Sequence, residues 1–286
     1  MKFPGASLRA WRYYFRSISR VLFGFEAAFR VISLLWKEAE GGQTLVKMKN
    51  GLSFWVRPGM DVWCLKETLL DRMYQKWGAE LEPGWTVVDI GAGIGDFTVL
   101  ASRCVIRGHV FAFEPHPSSY QLLKRNVELN GCSNVTLVNS GILGQRSRQG
   151  LLSSPSGEPL QASSLRGDPG SDSIPVACLS LEDALARYQI EWVDLLKIDC
   201  EGAEFPILLD SRDSVFDPVL RIVLEYHDFS GLDHRRLVAR LEGLGYLVTR
   251  TANPVHEYLG FLYASRAPGR TRAEPNLAGP TSEGRA

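Results

Sequence analysis

Apolar and polar positions along the middle of this chain fall into short extended runs separated by helical stretches and turns. Leu45–Met48 and Leu52–Val56 flank Lys49-Asn50-Gly51, and Asn-Gly between two extended runs predicts a hairpin. Asp61 to Trp77 reads as a helix with Asp61 at its N-cap. After a Pro83-Gly84 turn, Thr86–Ile90 is a short β-branched apolar run of the kind buried in a parallel sheet. Gly91-Ala92-Gly93-Ile94-Gly95 and a helix from Asp96 to Val105 follow. Val110–Phe113 predicts a second strand ending at Glu114. Pro117 to Asn130 predicts a helix closed by Gly131. Further strands are expected at Val135–Val138, Ile174–Cys178, Val193–Ile198, Val219–Leu224, Tyr246–Arg250 and Tyr258–Ser265, with helices at Leu181–Tyr188, Phe205–Leu209 and Asp233–Gly243. Repeated βα units of this kind form a mostly parallel sheet with helices on both faces. Ligands of such sheets sit beyond the carboxyl ends of the strands. That rule selects Asp89, Glu114, Asp199 and Glu225.

The two ends of the chain behave differently. In residues 1–40, Arg9, Arg12, Arg16 and Arg20 recur at three- and four-residue steps, which places them on one helical face. Trp11, Phe15, Ile18 and Leu22 fall on the neighbouring face. Glu26 and Arg30 interrupt the most apolar stretch, and no run reaches the roughly 20 residues of a membrane-spanning helix. The pattern fits an amphipathic helix packed on the rest of the chain or on a second subunit, with a helix resting on an anionic membrane as the alternative. Residues 266–286 lack the large apolar side chains needed to offset chain entropy and are expected to be disordered. Ser153 to Ser173, rich in Ser, Gly and Pro, is expected to be a long surface loop.

Composition narrows the class. The 286 residues are 45% hydrophobic and 22% charged, with zero formal net charge. These values suit a globular enzyme and give no electrostatic reason to expect nucleic acid as partner. The five cysteines, Cys64, Cys104, Cys132, Cys178 and Cys200, are dispersed without a CxxC pair. A disulfide framework or zinc site is therefore not expected, and a reducing, cytoplasmic setting is, with peripheral contact to a membrane left open.

The chemistry starts at the loop after the first parallel strand. Gly91, Gly93 and Gly95 alternate between a strand and a helix N-terminus, where free amides and absent side chains let a ligand approach the backbone. The GxGxG spacing lacks the further glycine of the dinucleotide fingerprint. Asp89, just before the loop, would repel a phosphate but not an ammonium. Glu114 follows 25 residues after Asp89, near the interval at which an acid receives ribose hydroxyls. Its two oxygens match two hydroxyls. Asn139-Ser140-Gly141-Ile142, after the third strand, should line an adenine.

Three stretches, VVDIGAGIGDFTVLAS, VFAFEPHPSSYQLLKRNVELNG and DLLKIDCEGAEFPIL, together with VLEYH, resemble the FkbM family of S-adenosylmethionine-dependent methyltransferases. The resemblance runs from Val56 to Tyr263, and LLKIDCEGAE is its most specific part. It implies a Rossmann-like class I methyltransferase fold, α/β, with a mostly parallel central sheet, helices on both faces and an antiparallel last strand. It also implies S-adenosyl-L-methionine as cofactor and methyl transfer, usually to an oxygen of a sugar, polyketide or other small metabolite. Gly93 stands where the commoner family form has Asn; the backbone makes most of the cofactor contacts, so binding should persist. On this reading residues 1–40 are a helical extension, 41–82 a hairpin and helix packed on the core, 83–265 the methyltransferase domain, and 266–286 a tail. Cofactor contacts are expected from Asp89, Gly91, Ala92, Gly93, Gly95, Glu114, Ser140, Gly141 and Asp199.

Lys197, Asp199, Glu201 and Glu204 crowd the end of the fourth core strand. Transfer to a hydroxyl needs the acceptor oxygen held in line and a group that takes its proton. Asp199 or Glu201 could orient the hydroxyl or serve as base. His227 is a further base candidate, and Lys197 is either catalytic or an ion-pair partner. Glu204 suits a helix-dipole role, and Cys200 a packing role. Asp199, Glu201 and Glu225 could together hold Mg2+, an option weaker than a metal-free site. A nicotinamide-dependent oxidoreductase and a cofactor-binding scaffold without catalysis remain as alternatives. Oligomeric state is open.

Overall fold

The computed structural model describes residues 8–36, 42–76, 80–144, 149–152, 173–228, 231–253 and 255–266. Where one N-terminal helix was expected, there are two, α1 (Leu8–Gly24) and α2 (Ala28–Leu34). Ser17, Val21 and Phe25 recur at four-residue steps and are all buried. The chain breaks between the helices because it joins the following hairpin. Phe25 bridges Met48, Glu26 N donates to Lys47 O and Lys49 N to Gly24 O. The hairpin is the one Asn50-Gly51 predicts: β1 (Thr44–Lys47) pairs antiparallel with β2 (Ser53–Val56).

The helix expected over 61–77 is shorter and wider. α3 (Met60–Leu65) continues into a π-helical turn, Lys66–Leu70, and Arg72 at φ 54° ends the run. Buried Lys66 lies 2.6 Å from Asp71, five residues on, which favours the wider turn over continued α-helix. Asp61 is not the N-cap. Gly59 takes that position with φ 84°, and the Asp61 carboxylate accepts from Arg57 N, Nε and Nη2 instead.

Next come β3 (Thr86–Ile90), α4 (Asp96–Cys104), β4 (His109–Phe113), α5 (Pro117–Leu129), β5 (Val135–Val138), β6 (Gly141–Leu143), β7 (Gln149–Leu152), β8 (Ile174–Ser180) and α6 (Leu181–Arg187). The chain continues through β9 (Leu195–Ile198), α7 (Glu204–Leu209), β10 (Arg221–His227), α8 (His234–Gly243), β11 (Tyr246–Ala252) and β12 (Leu259–Arg266). The central sheet has the order β11-β12-β10-β9-β3-β4-β5. From β10 to β5 neighbours are parallel, and β12 is antiparallel to both β10 and β11. All four residues of β9 are buried, as a strand covered on both faces requires. Phe205, Leu208, Leu237 and Leu241 cover one face; Phe97, Ala101 and Val105 pack on the other. Each of the larger side chains among these contributes about 1.5–3 kcal/mol by burial. The β1–β2 hairpin is fixed to α5 by the amides of Asn126 and Asn130, which bond the backbone of Trp55 and Ser53.

β6, β7 and β8 form a separate three-stranded sheet, so the segment after β5 turns away rather than ending a simple strand–loop unit. Most of the Ser153–Ser173 segment, residues 153–172, and nearly all of the 266–286 tail lie outside the described residues. Arg266 itself closes β12, and its guanidinium bonds Phe216 O, Val219 O and Leu244 O.

From β3 the chain steps outward through β4 and β5, then returns to β9 on the other side of β3. That reversal opens a crevice at the carboxyl ends of β3 and β9.

Candidate active site

A cavity of about 390 Å³ occupies this crevice. Ile90 pairs with Ile198 in the parallel register, which sets Gly91 beside Asp199. A side chain on Gly91 would place its Cβ 1.8 Å from the Asp199 carbonyl oxygen, and Gly91 has φ 75°. Gly93 at φ 56° and Gly95 at φ 90° complete the turn. The left-handed conformation at Gly93 is one that Asn also adopts readily, which accounts physically for Asn in the commoner family form. Gly91 and Gly93 line the cavity. Ala92 is buried, and Gly95 lies against Leu123; both build the turn rather than face the cavity.

Glu114 follows β4 and is buried at the cavity wall. Oε2 accepts from Gly93 N at 2.8 Å and Oε1 from His116 N at 2.8 Å. The carboxylate is thereby locked beside the glycine turn, with lone pairs remaining on both oxygens for hydroxyl donors. Burial outweighs these bonds and pushes its pKa up to about 7. The glycine cradle and this poised carboxylate fit an adenosyl ligand. Gly141 lines the cavity. Ser140 instead ties β6 to β8, with Oγ 3.2 Å from Ala177 O.

Asp89 and Lys197 lie behind the loop. Asp89 is buried, accepts from Thr98 Oγ1 at 2.6 Å and lies 3.0 Å from Lys197 Nζ. Lys197 Nζ also donates to Gly91 O at 2.8 Å. Burial opposes its charge, but Asp89, Asp199 and Asp96 override burial and hold the ammonium above its ordinary pKa. Lys197 is therefore a fixed cation that braces the loop. Its contacts with Asp89 and Gly91 O are those of a group that positions the loop.

Asp199 lines the cavity. Its Oδ2 accepts from Tyr74 OH at 2.6 Å and lies 4.0 Å from Lys197 Nζ. Tyr74 is held edge-on against Phe97 and Phe261. Glu201, at φ 54°, points its carboxylate to His227 Nε2 at 3.5 Å, and Glu204 Oε1 lies 3.2 Å from His227 Nδ1. Glu204 also accepts from Cys200 N and Gly202 N, so it orders the turn after β9 rather than only answering a helix dipole. Burial would neutralise His227, but Glu204, Glu201 and Glu225 raise its pKa to about 10. The ring is thereby held between two carboxylates, an arrangement that favours its charged form.

Glu225 and His227 sit inside β10 rather than after it, two residues apart and so on one face. One ligand atom from each of Asp199, Glu225 and His227 lies within 4.8 Å of the others. This trio differs from the Asp199, Glu201 and Glu225 set considered for Mg2+, because Glu201 turns to His227. Burial first, and Asp199 next, push the Glu225 carboxyl well above the ordinary carboxylate range. Asp96 lines the same cavity, with its pKa raised to about 6 by burial; Thr68 donates to it.

The remaining wall comes from far away in sequence. Tyr13, Tyr14, Trp63 and Glu67 line the cavity. Tyr13 OH donates to Glu67 at 2.6 Å and receives Lys66 Nζ at 3.0 Å. Sequence reasoning missed Tyr74 and this wall entirely. It reached Glu225 through the strand-end rule but gave it only a metal role.

Strand order, the antiparallel β12 and the loop at the reversal define a class I methyltransferase fold. Residues 89–248 match the Methyltransferase FkbM domain, more than half of the chain, and the chain belongs to this methyltransferase family. Among its relatives, 31-O-demethyl-FK506 methyltransferase FkbM of Streptomyces tacrolimicus is 26% identical over 238 residues, covering 73% of this chain and 91% of that protein. Methyltransferase sdnD of Sordaria araneosa is 29% identical over 214 residues, covering 65% and 82%. The solved Methyltransferase FkbM of Methylobacillus flagellatus KT shares 15% identity at a TM-score of 0.47, over 71% of this chain and 53% of that one. Family membership sets aside the oxidoreductase alternative.

Proposed function

We propose that this protein transfers a methyl group from S-adenosylmethionine to a hydroxyl of a small-molecule acceptor. The observation that carries the reading is the pairing, in one cavity, of the Gly91–Glu114 cradle with the Asp199–Glu225 carboxylates beside it. Gly91, Gly93, Glu114 and Gly141 hold the cofactor, whose sulfonium supplies the methyl electrophile. Asp199, anchored through Oδ2 by Tyr74, offers Oδ1 to the acceptor hydroxyl. The Asp199–Glu225 pair, whose facing oxygens lie within 4.8 Å of each other, takes the hydroxyl proton. The imidazolium of His227 stays clamped by Glu204 and Glu201 and keeps the charge of this pair in check. Tyr13, Tyr14 and Trp63 form the acceptor wall and keep water from the reacting oxygen. The name of the Streptomyces relative specifies an O-demethylated acceptor, which supports an oxygen as the methylated atom.

An acceptor screen with labelled S-adenosylmethionine, run with Mg2+ and with a chelator, tests this. Label should enter hydroxyls equally in both conditions. Label confined to nitrogen or carbon, or transfer only with metal, would overturn the respective part of the reading.

A further inference from the structure

The cavity uses one face of α1. The opposite face is turned to solvent and carries large apolar side chains: Phe15 is 79% exposed, Phe23 77%, and Phe29 of α2 83%. Ile18 and Trp11 are also exposed. Among the described residues, the remaining exposed large apolar side chains outside residues 8–36 are Ile106, Leu129, Leu247 and Tyr258, scattered over distant elements. An apolar surface gathered on two adjacent helices marks an interaction site.

Its charge selects the partner. Residues 8–36 hold five arginines and one glutamate, in a chain whose 32 basic and 32 acidic residues balance. Arg12, Arg16 and Arg30 are exposed beside the aromatics. Arg20, by contrast, turns inward to the carbonyl of Leu70 and to Asp71. A two-fold contact between copies would set these arginines against each other. An anionic bilayer satisfies both components, with the phenyl rings entering the headgroup–acyl boundary and the guanidinium groups at the phosphates.

We propose that the exposed face of α1 and α2 is a peripheral docking surface for anionic lipid bilayers. Tyr13 and Tyr14 line the cavity from the inner side of the same helix. Docking therefore sets the acceptor wall within about one helix diameter, 10–12 Å, of the lipid headgroups.

Flotation of the full chain with phosphatidylcholine vesicles, with and without phosphatidylglycerol, is the test. Three proteins are compared: wild type, a Phe15→Ser/Phe23→Ser/Phe29→Ser variant and an Arg12→Glu/Arg16→Glu/Arg30→Glu variant. The replaced side chains are exposed, so thermal melts should coincide with wild type; the two variants probe the surface independently. Wild type should float with phosphatidylglycerol vesicles and lose binding in high salt. The arginine variant should lose at least about a hundredfold in partitioning. The phenylalanine variant should lose binding even at low salt. Absence of flotation, equal flotation with neutral vesicles, or flotation unchanged in both variants would overturn the proposal. So would a concentration-dependent dimer dissolved by the phenylalanine changes without any vesicle binding, which would assign the surface to a second copy.

Discussion

The two sides of the cavity are built on different terms. The side we assign to the cofactor comes from residues close in sequence, Gly91 to Glu114, on adjacent parallel strands. Its contacts are largely backbone: Gly93 N to Glu114, Gly91 O to Lys197, and the Asp199 carbonyl against the Gly91 Cα. The side we assign to the acceptor draws Tyr13, Trp63 and Glu67 from helices and Tyr74 from the turn after them, all ahead of the sheet, and Glu225 from β10, and its contacts are side chain to side chain. The family match over residues 89–248 contains the whole first side and leaves out most of the second. A backbone site tolerates few changes and keeps one ligand. A side-chain wall can be rebuilt residue by residue, so acceptor preference can vary on a constant cofactor platform.

The sharpest way to break this comparison is Gly91→Ala. Its Cβ would meet a backbone carbonyl at 1.8 Å with φ 75°, and neither can retreat. A loss of about 2–5 kcal/mol in denaturant unfolding is expected; an unchanged midpoint would remove the claim that the cradle is fixed by backbone. Next in size, Asp199→Asn should lower turnover by about 10²–10⁴-fold while calorimetric affinity for S-adenosylmethionine stays near wild type. Methylation retained at wild-type rate would remove Asp199 from the chemistry.

Glu114→Gln should act on the other side alone, weakening cofactor binding by roughly tenfold to a hundredfold. The pH dependence has a definite sign. Glu114 titrates at about 7, and hydroxyl donors bind its ionised form, so affinity falls as pH drops through that value. Binding about tenfold weaker at pH 6 than at pH 8 is expected for wild type, with a flat profile for Glu114→Gln. A wild-type profile equally flat would detach Glu114 from the ribose. The smallest effect belongs to the distant wall. Tyr13→Phe removes the donor to Glu67 and should raise the acceptor KM by about two- to tenfold, leaving cofactor affinity untouched. A matching loss of cofactor affinity would show that the two sides are not separable.

Much of the sheet was legible because buried parallel strands are short apolar runs and their loops carry glycine. Thr86–Ile90, Val135–Val138 and the Asn50-Gly51 hairpin appear as the local pattern predicts. The errors have physical causes. Asp61 has the residue type of an N-cap, but Arg57, four residues earlier, captures its carboxylate. The helix after it widens because Lys66 and Asp71 pair across five residues. Ser140 follows a strand end, and its hydroxyl is taken up by Ala177 O beside the β6–β8 pairing.

Lys197 and His227 show the same division within the site. Their type and proximity to strand ends marked them for chemistry. Their protonation is settled by what surrounds them: Asp89 for the lysine, Glu204 and Glu201 for the histidine.

From the sequence alone, the periodicity and the glycine spacing determined the alternating strands, the crevice and the glycine turn at its edge, because these depend on interactions between near neighbours and on backbone geometry. Only the tertiary structure decided which groups carry charge, that Tyr74 anchors Asp199 across 125 residues, and that α1 divides between a cavity wall and an exposed aromatic face. Those outcomes depend on burial and on Coulomb partners supplied by distant segments, which no local pattern contains.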